Sequence, residues 1–493
     1  MPMIHDLPME LLSRIFFFLY MKSRKEVRMM RIILDTPEDD ILGKTEWADK
    51  DPRSLALFPH AQAKVCQHWL NVLSTHAIFW DRVIFDLRED PTRMLDSLRW
   101  SKDLPLEIFA FNSSPFPNPQ HDNFQAQRDA VALELSRFQA LMVVCTPHIK
   151  RCTSVVLEAM YPTSLSPCSL FLQSHCKPSD LCTLMLTSVR AANPPSPLAA
   201  VNPSSDPPSS LPPLVQYQSL KLLCLDASVF MSFGRMFKGR ENDIASHRGC
   251  LMVSRYIFHY DKNGAFDGPF TVDDFLDCIE KMGPEYITLR DLLVQGPHDE
   301  QPTLEPPAYF YPFSTPALLF ENVSAPLLSA YFDRFPLEDE SVKFKFCDIP
   351  AVPKGCMVWC YFLTLENIPA STDLRGLLNS WDGGELTVKN CPCFDDSLLS
   401  WLARDPGHVP RLRSLEIENC NSFTMKRLRK LIRLRTREPD SSSTSEEDGD
   451  FAYINTLFVC GDNYSLTAEE LSWFKSHVDA WFTTSQHFLY IPL

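Results

Sequence analysis

Gly43-Lys44-Thr45 has the residue types that close a phosphate-binding loop, but the glycine such a loop needs five residues earlier is Glu38. A carboxylate there repels phosphate, which argues against nucleotide binding. Asp261-Lys262-Asn263 opens like a calcium-binding loop. Its sixth position, which needs a glycine turn, is Phe266, and its twelfth, which needs a bidentate glutamate, is Val272. Cys391-Pro392-Cys393, Cys356 with Cys360, and His175-Cys176 bring sulfur and imidazole together without the second pair a tetrahedral zinc site requires. G-x-S-x-G, G-x-G-x-x-G and H-E-x-x-H are absent from the sequence. The chain is therefore expected to be non-catalytic, with no cofactor or metal.

Two charged stretches carry chemistry of another kind. Lys426, Arg427, Arg429, Lys430, Arg433, Arg435 and Arg437 interleave with Leu428, Leu431, Ile432 and Leu434. That pattern is a helix with a basic outer face, either simply solvated or set against an anionic partner or an import receptor. The stretch Asp440 to Asp450 is acidic, and Ser443, Thr444 and Ser445 each have an acid three residues later, as acidophilic kinase sites do. Each phosphate would add about −1.5 to −2 charge.

The elements that must position these groups belong to a folded protein. Hydrophobic residues make up 45% of the 493, and aromatics 11%, well above what a disordered chain carries. Forty prolines against fifteen glycines favour many rigid breaks between short elements. A net charge of −15 argues against general nucleic-acid binding. No membrane segment is expected: the longest apolar runs, Ile15 to Met21 and Met357 to Leu363, are seven residues each, against roughly 18 for a spanning helix. Asp6 and Glu10 precede the first run where a secretory leader would be basic. Sixteen cysteines scattered among apolar residues suit free thiols in a reducing compartment, so the expected location is cytoplasmic, nuclear or both.

From residue 86 onward amphipathic and extended stretches alternate. The pattern predicts helices over Thr92 to Trp100, Phe124 to Cys145, Asp180 to Val189 and Val272 to Met282. It predicts strands over Leu104 to Phe111, Thr153 to Glu158, Ser219 to Leu225, Tyr286 to Leu289, Leu327 to Phe332, Val342 to Phe346 and Phe362 to Leu365. Asn263-Gly264 within Tyr256 to Phe270 signals a local hairpin or tight turn. Residues 191–213 hold eight prolines and few large apolar groups, and 437–450 are acidic, so both are expected to be flexible inserts.

The last third repeats itself. Leu386-x-Val388-x-x-Cys391 continues to Phe394, Leu399 and Leu402; Leu415-x-Ile417-x-x-Cys420 continues to Phe423, Leu428 and Leu431. Leu363-x-Leu365-x-x-Ile368 is a weaker copy, and Leu457 to Cys460 with Glu469 to Val478 would make a terminal unit. This resembles cysteine-containing leucine-rich repeats, in which a strand, a tight turn and a returning helix must stack on like neighbours to bury their apolar faces.

The N-terminus differs. From Ile4 to Tyr20, Pro8 and Glu10 suit a helix start, and Leu11, Ile15, Phe18 and Leu19 trace the stripe expected to turn inward. Leu12, Phe16, Phe17 and Tyr20 cover much of the remaining circumference, so such a helix must be covered on more than one side. Downstream, Val65, Trp69, Val72 and Leu73 form a second stripe before Phe79-Trp80. Leu7-Pro8-x-Glu10-Leu11 with Ile15-Phe16-x-x-Leu19, then Val65-Cys66-x-x-Trp69 and Phe79-Trp80, resembles the F-box. The resemblance implies a small helical module over 1–85, interrupted by an insertion at about 21–54, that binds a Skp-type adaptor of cullin–RING ubiquitin ligases. Leu7, Pro8, Leu11, Ile15, Leu19, Val65, Trp69 and Trp80 would form the adaptor face. The expected fold is α/β: a small all-α F-box-like module followed by a leucine-rich-repeat-like solenoid over 86–493, whose surface binds an unknown target protein. The same stack could serve as an interaction scaffold without ligase coupling.

Overall fold

The computed structural model describes residues 7–23, 58–113, 124–165, 181–189, 220–236, 249–260, 270–296, 317–335, 337–352, 358–405, 407–436, 453–461 and 466–483. The inserts at 191–213 and 437–450, Ser443, Thr444, Ser445, the Asn263-Gly264 pair and all of 24–54 lie outside these residues. The chain divides into two compact units, Met1–Ala245 and Ser246–Leu493.

The first unit opens with helices α1 (Met9–Ser23), α2 (His60–Ala63) and α3 (Gln67–Thr75) and a 3-10 turn at Ala77–Trp80. Strand β1 (Arg82–Asp86) follows, then α4 (Leu95–Trp100), β2 (Leu106–Phe111), α5 (Phe124–Cys145), β3 (Cys152–Ala159), β4 (Thr183–Ser188), β5 (Leu222–Asp226) and α6 (Ala227–Met236). Strands β1 to β5 pair in chain order and all in parallel. The sheet thus begins at Arg82, inside the segment assigned to the helical module. Asp180–Val189 is not a helix: Thr183–Ser188 is β4, its neighbours on both sides being strands. Its nearly continuous apolar run suits a strand buried on both faces as well as it suits a helix.

Residues Arg128–Arg151 are long and apolar enough to cross a membrane by length and composition. Phe138, Leu141 and Cys145 of that stretch are buried in the core, however, and so is Glu134. The Glu134 carboxylate accepts from the backbone N–H groups of Met160 (2.7 Å) and Tyr161 (3.1 Å) and from Asn112 Nδ2 (2.8 Å). A carboxylate tied to the loop after β3 makes this a core helix of the unit.

The second unit repeats strand and helix more regularly: β6 (Cys250–His259), α7 (Val272–Met282), β7 (Tyr286–Gln295), β8 (Ala317–Val323), α8 (Ala325–Arg334), β9 (Ser341–Lys345), β10 (Phe362–Glu366), α9 (Arg375–Ser380), β11 (Glu385–Lys389), α10 (Asp396–Arg404), β12 (Ser414–Glu418), α11 (Met425–Arg435), β13 (Thr456–Cys460), α12 (Ala468–His477) and β14 (Asp479–Thr483). Strands β6 to β14 pair in order and in parallel. Tyr256 to His259 end a strand parallel to β7, and the residues that follow them up to 269 lie outside those described. Leu327 to Phe332 lie in α8, because Ser324-Ala325-Pro326 starts a helix whose Leu327, Leu328, Tyr331 and Phe332 face inward.

The repeat pattern is realised side chain by side chain. Leu386, Val388, Leu415 and Ile417 point inward from their strands, and Leu399, Leu402, Leu428 and Leu431 return from the helices to meet them. The chain turns at Asn367, Asn390 and Asn419, with φ of 53°, 51° and 53°. Asparagine tolerates this left-handed region because its short amide bonds locally. At each turn the N–H donates to the last carbonyl of the next strand, as Asn390 does to Glu418 (2.8 Å) and Asn419 to Cys460 (2.8 Å). Beside these turns the thiols bridge neighbouring units: Cys391 Sγ accepts from Ile368 N–H and Cys420 Sγ from Cys391 N–H, both at 3.4 Å. Burial pushes the Cys420 thiol up to about 12, which keeps it protonated. Replacing Asn419 by Val should lower stability by about 1–2 kcal/mol, whereas Gly should be nearly neutral. Urea unfolding of the two variants checks this; equal losses would count against strain as the cause.

The outward faces of six adjacent strands carry one row in register: Arg290, Glu321, Lys345, Glu366, Lys389 and Glu418. Charges alternate along it. Arg290 pairs with Glu321, Lys345 lies 3.5 Å from Glu321, and Lys389 lies 2.9 Å from Glu418.

Candidate protein-docking surface

Helix α1 starts where the sequence places it. The Pro8 carbonyl accepts from Leu11 N–H (3.0 Å) and Leu12 N–H (3.1 Å), and Glu10 stands in the first turn. The face it buries is not the expected one. Leu12 and Phe16 are fully buried and pack with Val72, Leu73, Phe79 and Trp80. The Phe16 ring meets Trp69 edge-on at 5.2 Å, and Phe58 meets Phe79 at 5.3 Å. Leu11 (47% exposed), Ile15 (43%) and Phe18 (76%) instead face solvent, as do Phe17 and Met21. Because the helix is apolar nearly all round, spacing alone fits two stripes equally well.

Polar partners on the following segment choose between them. Ser13 Oγ lies 3.0 Å from His76 Nε2, and Tyr20 OH donates to Asp81 Oδ2 at 2.9 Å. Arg82, itself paired with Glu107 on β2, brings Nη1 within 3.5 Å of the Ser23 carbonyl at the end of α1. Three attachments along the helix fix its rotation. Turning Leu11, Ile15 and Phe18 inward would break all three and expose Leu12 and Phe16. The outward apolar stripe is therefore held in place.

The eight residues expected at an adaptor face separate into three groups. Pro8, Leu11, Ile15 and Val65 are exposed. Leu7, Leu19 and Trp69 are half-buried and lean on the core cluster. Trp80 is 1% exposed, donates from Nε1 to the Leu73 carbonyl at 2.9 Å, and meets the Trp100 ring at a 52° tilt with centroids 4.5 Å apart. It is a core residue and is removed from the docking face, because its indole is consumed between α3 and α4. Phe18, assigned inward from its spacing, is the most exposed large apolar residue of α1; Phe17, Met21 and Ile78 also reach solvent without having been singled out for it.

His60 lies edge-on to Trp80 at 5.9 Å, and among the described residues its buried Nε2 has no hydrogen-bond partner. Burial, with Lys64 nearby, lowers its pKa to about 4 from 6.5. Between these values the unfolded chain binds a proton that the folded chain does not, so stability is lost as pH falls through that window. Relative to His60→Gln, the protein should lose about 2 kcal/mol between pH 7 and pH 5. Parallel urea titrations at both pH values measure this; a constant difference would refute the assignment.

In the second unit the basic stretch is α11, with Leu428, Leu431 and Ile432 turned inward. Arg435 is buried too, and Nη2 donates to the carbonyls of His408 and Val409 (2.9 Å to the latter). Lys426, Arg427, Arg429, Lys430 and Arg433 are exposed. Among the described residues no group of three or more His, Cys, Asp or Glu side chains is placed to hold a metal ion.

No family model matches this chain, and no curated protein matches it either.

Proposed function

We propose that the chain is the substrate-recognition subunit of an SCF-type cullin–RING ubiquitin ligase. In this reading the helices of 7–80 act as an F-box that binds a Skp-type adaptor, and the strand–helix units bind the target protein. The protein performs no chemistry itself. It holds an acceptor lysine near the ubiquitin-loaded enzyme, which raises its effective concentration.

The observation that carries this reading is the outward stripe of α1. Leu11, Ile15, Phe17, Phe18 and Met21 stay exposed on a helix whose other face is packed and whose rotation is fixed. Such a face loses free energy in water, and a cluster of this kind marks a protein–protein contact. Full burial of a large apolar side chain contributes about 1.5–3 kcal/mol, so five that are roughly half exposed contribute about 4–8 kcal/mol, which offsets the lower part of an association cost of about 4–15 kcal/mol. The order and types of residues from Leu7 to Leu19 and from Val65 to Trp80 add the resemblance to the F-box. The docking face in this reading is Pro8, Leu11, Ile15, Phe18 and Val65, with Leu7, Leu19 and Trp69 at its inner edge.

Mixing the full chain with a purified Skp-type adaptor tests it. A 1:1 complex on size exclusion is the expected result. Failure to form one would leave a repeat scaffold without ligase coupling.

A further inference from the structure

Helix α11 is charged against its own stability. Lys426 and Arg427 occupy its first turn, where the backbone dipole favours acids, and the helix contains no acid at all. Lys426 and Lys430, and Arg429 and Arg433, are like charges at i,i+4, which repel. Four cations on the strand faces of the same unit are paired: Arg290, Lys343, Lys345 and Lys389 each meet a carboxylate. Among the described residues Lys426, Arg427, Arg429, Lys430 and Arg433 form no ion pair with a carboxylate. Arg429 instead lies over the Trp473 ring of α12 at 4.5 Å. In a chain of net charge −15, solubility does not call for a concentrated positive face.

The inner side of α11 is fixed. Leu428, Leu431, Ile432 and Arg435 are buried, and the Thr424 side chain accepts from Arg427 N–H at the helix start. The cations are thus presented on a rigid helix, and a receptor that reads basic residues in extended form would have to unfold it. Carboxylates border the patch. Asp396 accepts from Thr424 N–H at 2.7 Å, and Glu470 is near enough to feel the charge of Arg429. A broad polyanion, such as a nucleic-acid duplex or a lipid surface, would press on these acids. A narrow anionic strand laid along the helix, about 16 Å long at 1.5 Å per residue, would not. The three arginines offer planar forks that suit carboxylates.

We infer that the exposed face of α11 binds an Asp/Glu-rich segment of a partner protein. If the chain is a ligase receptor, that segment belongs to its target. The binding is measurable without the adaptor, so the two readings fail separately.

Fluorescence anisotropy of the full chain with a labelled twelve-residue Asp/Glu peptide tests the inference. Binding should weaken steeply with added salt. The triple variant Lys426→Glu, Lys430→Glu, Arg433→Glu should lose roughly 30-fold or more in affinity with a melting temperature no lower than that of the wild type. Lys426→Arg with Lys430→Arg should retain binding, and a Gln set at the same three positions should fall between, which covers misfolding of the reversed variant. The inference is overturned by an absence of binding, by equal binding to the triple variant, or by tighter binding of oligouridylate or phosphatidylserine vesicles. It is also overturned if the peptide binds only after residues 440–450 are replaced by a Gly-Ser linker. That result would assign the face to the chain's own acidic stretch.

Discussion

Ile15→Asp combined with Phe18→Asp should abolish adaptor binding while lowering the melting temperature of the chain only slightly. Both side chains reach solvent, Phe18 at 76% exposure and Ile15 at 43%, so the free protein has little packing there to lose. In a complex the same positions would be dehydrated. Each substitution then removes an apolar contact and buries an unpaired carboxylate, costing a few kcal/mol together. At 1.4 kcal/mol per tenfold, that is a loss of more than about 100-fold in affinity. Leu19→Asp is a poorer probe. Leu19 leans on the cluster of Leu12, Phe16 and Phe79, so its variant would weaken the fold and the surface together. Titration by isothermal calorimetry, beside thermal melts, separates the cases. Wild-type affinity in the double variant would remove α1 from any docking role.

What could be read in advance follows from where the deciding interaction lies. Helix α7 has its predicted ends because its signals are local. Thr271 and Asp274 form a reciprocal cap, with side chain to backbone distances of 3.0 and 3.1 Å, and Gly283 ends the helix at a φ of 50°. The repeat units were legible for a related reason: the small residue two places beyond each outward lysine or glutamate, Cys391 or Cys420, fills a turn that recurs unit by unit. Leu327 to Phe332 was misread because a short apolar run fits strand and helix alike, and the Pro326 signal sits just outside it. The inward face of α1 was not legible at all. Ser13 and Tyr20 settle it through partners 63 and 61 residues away. No window along the sequence holds both ends of those bonds. Trp80 failed for the opposite reason: an aromatic at the end of a helical module serves a docking face or a core equally well until α4 and Trp100 are in place.

Trp80→Ala should be the most destabilising single change in the helical segment, at about 3–5 kcal/mol. The indole fills the space among Leu73, His60 and Trp100, which its truncation would leave as a cavity. Trp80→Phe keeps most of the ring and loses only the donor to the Leu73 carbonyl. That carbonyl also accepts from His76 N–H at 3.2 Å, so the loss should stay near 1 kcal/mol. Hydrogen exchange of α1 and α3 amides reads these local costs where a global melt would blend them with the rest of the chain. Adaptor affinity then distinguishes the two roles an N-terminal aromatic can play. For a core residue, Trp80→Phe binds as the wild type does, and Trp80→Ala weakens binding only in step with the opening of α1 measured by exchange. A drop in affinity for Trp80→Phe with unchanged exchange would instead return the indole to the interface. It would also mean that α4 moves aside when the partner docks.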